Sequence, residues 1–132
     1  MNQQNIVDIM IELPLQLRIR KVELSRGILS IDLNISSSTE SGTVYKDLYQ
    51  IAFFALKDTS NVTQVLVRGL DASHAAVNPT GQLLIAMDAR REDIPAGQAA
   101  VKADNAALLR QFVQNHFRVT TTSRWNERYN GE

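Results

Sequence analysis

Two histidines, one dense charged cluster and a serine run are the side chains of this sequence best suited to chemistry. His74 lies in a polar stretch and His116 near the end of a helical pattern, and neither has a second ligand at the spacing of a zinc or iron site. A histidine near a helix C-terminus has a structural role ready, because its cationic form opposes the negative end of the helix dipole. The chain has zero cysteines, which removes disulfides, thiolate ligands and a cysteine nucleophile together. No metal and no cofactor is expected.

Asp88-Ala89-Arg90-Arg91-Glu92-Asp93 gathers five charges after an apolar run, a position where sites often assemble on α/β sheets. Acid–base work needs a carboxylate with a displaced pKa, whereas two neighbouring arginines keep these carboxylates ionised. The expectation is a solvated, ion-paired loop. A small enzyme or small-molecule site is the alternative reading: Asp71, His74, Asp88 and Arg90 would form a pocket if the 69–81 and 88–97 loops converged at one end of a sheet. Ser36-Ser37-Ser38 lacks the glycine elbow of a serine nucleophile and the glycines of a phosphate loop, and reads as a helix approach.

Two further groups of residues suggest surfaces. Arg18, Arg20, Lys21 and Arg26 form a basic strip; fourteen Lys plus Arg balance fourteen Asp plus Glu overall, so no nucleic-acid partner is expected, and the strip reads as protection of a sheet edge. Tyr45, Tyr49 and Phe53, beside Phe54, give a helix more apolar circumference than one sheet face covers, a surplus to be met either by the second helix or by another subunit. With Trp125, four residues before Tyr129, they are the candidate partner-binding residues, facing a protein partner or a second copy of the chain.

The elements that would position these residues follow from periodicity. Leu15 to Ile19 alternates, then the phase slips so that Val22 and Leu24 continue on the other parity, which predicts either a β-bulge near Arg20-Lys21 or a second short strand. Ser25-Arg26-Gly27 is a hairpin turn, and Leu29, Ile31, Leu33 and Ile35 form the clearest strand. Val44, Leu48, Ile51, Ala52 and Ala55 share one face of a helix that ends by Asp58. Val62 to Arg68 reads as a strand parallel to that around Ile31, Gly69 to Gly81 as a long loop, and Gln82 to Asp88 as a strand covered on both faces. A last helix runs from about Gln98 or Asp104 to Phe117, and Val119 to Thr122 suits a short edge strand.

The fold class is therefore α+β: a two-layer sandwich in which a mixed sheet of about four strands carries two helices on one face, in the order β-β-α-β-β-α. At 132 residues with 44% apolar content the chain makes a single domain, 1–132, with residues 1–8 and 124–132 expected to fray. No run approaches the roughly 20 apolar residues that span a bilayer. An exported form would have carried its signal or anchor ahead of Met1, placing the domain outside the cytoplasm; a native start at Met1 places it inside.

Arg20-Lys21-Val22-Glu23-Leu24-Ser25-Arg26-Gly27-Ile28-Leu29-Ser30-Ile31-Asp32-Leu33, the helix through Leu48, Ile51 and Phe54, and Val62-Thr63-Gln64-Val65-Leu66-Val67-Arg68-Gly69 resemble the GerM, or sporulation and germination, domain. The resemblance covers roughly residues 20–69; Leu83 to Met87 and the last helix have no counterpart in it. It implies a noncatalytic module displayed outside a bacterial cytoplasmic membrane, one that self-associates or docks on envelope partners, as the ring-building domains of secretion and sporulation channels do.

Overall fold

The computed structural model describes residues 13, 15–57, 59, 61–72, 82–94 and 105–129. Strands β1 (Arg18–Ser25) and β2 (Ile28–Ile35) form an antiparallel hairpin. Its two-residue turn holds Arg26 at φ 54° and Gly27 at φ 80°, the pair of positive values that a type I′ connection demands. The register shifts between Ile19 and Lys21 inside one continuous strand, so of the two readings of the phase slip the bulge holds and the second short strand does not. That extra residue is what lets Ile19, Val22 and Leu24 all lie over the inward residues Leu33, Ile31 and Leu29.

Helix α1 (Ser41–Lys57) buries Val44, Leu48, Ile51, Ala52 and Ala55, the face read from spacing. It leads into β3 (Gln64–Asp71), which lies parallel and directly adjacent to β2 with Ile31 beside Val67. β4 (Gln82–Arg90) pairs antiparallel with β3, and a single turn of 3₁₀ helix, Arg91–Asp93, follows it. Helix α2 (Ala106–His116) starts on Asn105, whose side chain accepts from Leu108 N at 3.1 Å, satisfying one of the free amides of the first turn. β5 (Arg118–Thr121) then pairs antiparallel with β4, and α3 (Ser123–Tyr129) closes the described chain.

The architecture is α+β, but with five strands and three helices among the described residues, in the order β-β-α-β-β-α-β-α, where four strands and two helices are expected. The sheet order is β1-β2-β3-β4-β5. Three further differences have local causes. β3 continues through Gly69 to Asp71 because Gly69 serves close packing here, not a loop: a Cβ on it would lie 2.6 Å from Ile35 Cδ1 and 2.8 Å from Ile85 Cγ2. The apolar run in β4 comes from a register shift beside Gly69, which turns both Leu84 and Ile85 inward, while Leu83 is exposed. The segment 124–129, expected to fray, belongs to α3, whose start is fixed by Thr122: its hydroxyl accepts from Trp125 N at 3.3 Å. Residues 1–8, given the same expectation, lie outside the described residues.

The core lies between one sheet face and the helices. Leu29, Ile31, Leu33 and Ile35 of β2, Val65 and Val67 of β3, and Ile85, Met87 and Ala89 of β4 point into it. Most of the wide apolar stripe of α1 is covered inside the chain, Phe53 and Phe54 staying half-buried. Tyr49 meets Phe112 of α2 edge-on at 5.5 Å, and Tyr45 meets Trp125 of α3 edge-on at 5.9 Å. No helix among the described residues is long and apolar enough to cross a membrane.

Candidate interaction surface

Three of the four aromatic residues read as partner-binding, Tyr45, Tyr49 and Trp125, are core residues of the single chain. Tyr45 and Trp125 are 0% exposed and Tyr49 is 3% exposed, so they have no surface left to offer. Phe53 is half-buried, stacked on Tyr49 at 5.1 Å with the Lys57 ammonium 5.4 Å from its ring. The excess apolar circumference of α1 had two candidate takers, another helix and another subunit. Helices α2 and α3 take it. Burial of the Tyr45 ring also pushes its phenol above the ordinary tyrosine range, against a hydrogen bond from Gln114 at 3.1 Å.

The pocket that Asp71, His74, Asp88 and Arg90 would line is not assembled. In the β3–β4 register Asp71 sits opposite Gln82, while Leu66 sits opposite Asp88 and Gln64 opposite Arg90. Asp71 is thus five residues along β3 from the level of Asp88, about 17 Å at strand rise. His74 lies outside the described residues. Asp71, 4% exposed, instead pairs with Arg128 at 3.1 Å and Arg124 at 3.7 Å, and only Asp88 and Arg90 come together, 3.7 Å apart, with Asp88 also accepting from Gln64 Nε2 at 2.9 Å. His116 stacks on Phe112 at 4.3 Å with Nδ1 3.1 Å from Phe112 O. Among the described residues no three His, Cys, Asp or Glu side chains are grouped so as to hold a metal ion.

Two buried carboxylates turn out to be structural: Asp47, which sequence reading missed, and Asp71, which it read as a pocket residue. Asp47 on α1 is 0% exposed; its oxygens accept from Gln16 N at 3.0 Å and Leu17 N at 2.6 Å, tying the approach to β1 onto the helix. Burial raises its pKa above the usual carboxylate value, with the hydrogen bonds from Gln16 and Leu17 opposing the rise. Asp71 anchors α3, where Arg128 also donates to Ser36 O at 3.0 Å and Tyr129 OH donates to Thr39 O at 2.5 Å. The Ser36–Thr39 segment is accordingly a helix approach pinned by α3.

What remains is the second face of the sheet, which no described element covers. Its residues follow from the register. One row across all five strands reads Glu23, Ser30, Leu66, Asp88, Arg118, and the next reads Lys21, Asp32, Arg68, Ala86, Thr120. Asp32, which alternation places on the outward side, is clasped by Arg68 through two hydrogen bonds of 2.9 and 2.6 Å, and this clasp raises the guanidinium pKa. Lys21 pairs with Glu23 at 3.0 Å. Leu66 stands 36% exposed at the middle of the face between two hollows. One, about 250 Å³, is walled by Lys21, Glu23, Ser30 and Asp32; the other, about 280 Å³, by Ala86, Asp88, Arg118 and Thr120.

The basic strip divides on folding: Arg18 and Lys21 stand on this open face opposite Asn34 and Asp32, and Arg20 is the residue of the bulge. The sheet brings acidic side chains among them, so the face is of mixed sign. That mixture was not readable along the sequence, because Glu23, Asp32, Asp88 and Arg118 become neighbours only through strand pairing. No family model, curated protein or solved structure matches the chain.

Proposed function

We propose that the chain is a noncatalytic interaction and assembly domain whose working surface is the uncovered face of its sheet. One observation carries this reading: among the described residues three helices pack on a single side, leaving a five-stranded sheet whose other side presents Leu66 between the Lys21–Glu23 pair of one strand and the cross-strand Asp32–Arg68 pair. An open face of five hydrogen-bonded strands is broad and held by its own ladder, which suits a protein surface better than a small molecule. Its mixed charge suits a protein better than a polyanion, whose binding rests on an excess of cations. The resemblance of residues 20–69 to the GerM domain supports the same class of function in a bacterial envelope or sporulation setting. A small-molecule site built from the 69–81 and 88–97 loops has no comparable support, since Asp71 and Asp88 stand at different levels of the sheet.

The absence of cysteine makes the test simple, because any introduced thiol is the only one. Leu66→Cys on the open face and Gln111→Cys on the exposed side of α2 are labelled with a membrane-permeant maleimide in the native cell and as dilute purified protein. The reading predicts slower labelling of position 66 in the cell, by about tenfold or more relative to position 111, as expected when a specific partner is bound most of the time. Equal labelling of the two positions in the cell would overturn it.

A further inference from the structure

The open face is self-complementary, and we propose that its partner is a second copy of this chain, packed sheet to sheet about a two-fold axis running close to β3. This rests on the reading of that face as an interaction surface and adds the identity of the occupant. The argument starts from the central row. Leu66 occupies its middle; Glu23 lies two strands to one side, on β1, and Arg118 two strands to the other, on β5. A two-fold axis along β3 leaves β3 over β3 and carries β1 of one copy over β5 of the other. Leu66 then meets Leu66 on the axis, Glu23 meets Arg118, and Ser30 meets Asp88, so every position in the row faces a compatible group and each charged contact occurs twice.

Side-chain reach agrees with this placement. Packed sheets lie about 10 Å apart, a gap that an arginine and a glutamate extended toward each other can bridge. Arg118 makes no ion pair among the described residues and is exposed, although Asp88 is its neighbour in the register. In the pair it enters the hollow of about 250 Å³ walled by Glu23 and Asp32 of the other copy. Glu23 is available because its pairing with Lys21 is between two side chains 56% and 60% exposed, a contact of little strength in water. The adjacent row sets Arg68 near its own copy, and there the repulsion is damped because each Arg68 is clasped by Asp32.

Area sets the expected strength. Four strands of eight or nine residues and one of four, at about 4.8 Å spacing, present roughly 600 Å² per copy, and the pair buries about 1,200 Å², the lower bound for a specific interface. A dimer with a micromolar dissociation constant, on the order of 1–100 µM, is the corresponding expectation.

Sedimentation equilibrium of the purified chain from about 1 µM to about 1 mM reads the prediction directly. The wild type should shift from one to two chain masses across that range. Glu23→Arg alone and Arg118→Glu alone should each weaken pairing by about tenfold, the double variant carrying both changes should restore it, and Leu66→Asp should abolish it. Fluorescence of Trp125, buried on the other side of the sheet, confirms that each variant is folded. A wild type that stays one chain mass throughout overturns the proposal, as does a double variant no better than the single ones. Monomeric purified protein together with slow labelling of the Leu66→Cys thiol in the cell would sink self-pairing while leaving the interaction reading in place.

Discussion

Asp47 and Gly69 show how single residues hold the platform in shape. The Asp47 carboxyl is buried and accepts from two backbone amides, so Asp47→Asn turns an amide NH₂ toward donors it cannot serve. Destabilisation of about 1–3 kcal/mol is expected, measured by urea unfolding followed through Trp125. The folded pKa lies above the unfolded value of 3.8, so the native state binds the proton more tightly. Asp47 therefore contributes most below that value and its contribution falls as pH rises through the raised one; the gap between wild type and Asp47→Asn should be wider at about pH 4 than at about pH 7. A gap that widens toward neutral pH would contradict this sign. Gly69→Ala forces a methyl onto Ile35 and Ile85 and should cost about 1–3 kcal/mol, read from the same unfolding curves. Neither role was visible in the sequence: Asp47 looks like any helix carboxylate, and Gly69 carries the ordinary signature of a loop.

At the scale of elements, α3 behaves as a clasp. Arg128 reaches the buried Asp71 carboxylate, Tyr129 reaches Thr39, and Trp125 fills the space beside Tyr45. Arg128→Ala should lose about 2–3 kcal/mol, because Asp71 stays buried with a poorer set of partners. Arg124→Ala, which removes a contact of 3.7 Å from a more exposed side chain, should lose less than about 1 kcal/mol. Equal losses in thermal unfolding would show that Arg128 has no special place. Legibility in the sequence tracks element length and regularity. The β1–β2 hairpin, its bulge and α1 were readable because eight alternating and seventeen helical positions repeat their period several times. A four-residue strand read only as a suggestion and a seven-residue helix not at all, since neither completes enough repeats to separate from background. The run Leu83 to Met87 misled for another reason: a register shift, not two covered faces, turns consecutive residues inward.

For the whole molecule, Tyr45, Tyr49 and Trp125, first read as a contact surface, became its interior, and the sheet face that the described elements leave open is assembled from five separate stretches of chain. No linear pattern announces it, since Glu23 and Arg118 are ninety-five positions apart in sequence (118 minus 23) yet share one row of the sheet. The most direct test is to follow backbone amide resonances of the chain by NMR as its concentration is raised. The predicted result is progressive shifts at Glu23, Ser30, Leu66, Asp88 and Arg118 with α1 and α2 unmoved. Shifts confined to the helix side around the exposed Leu108, or no shifts at all, would contradict it.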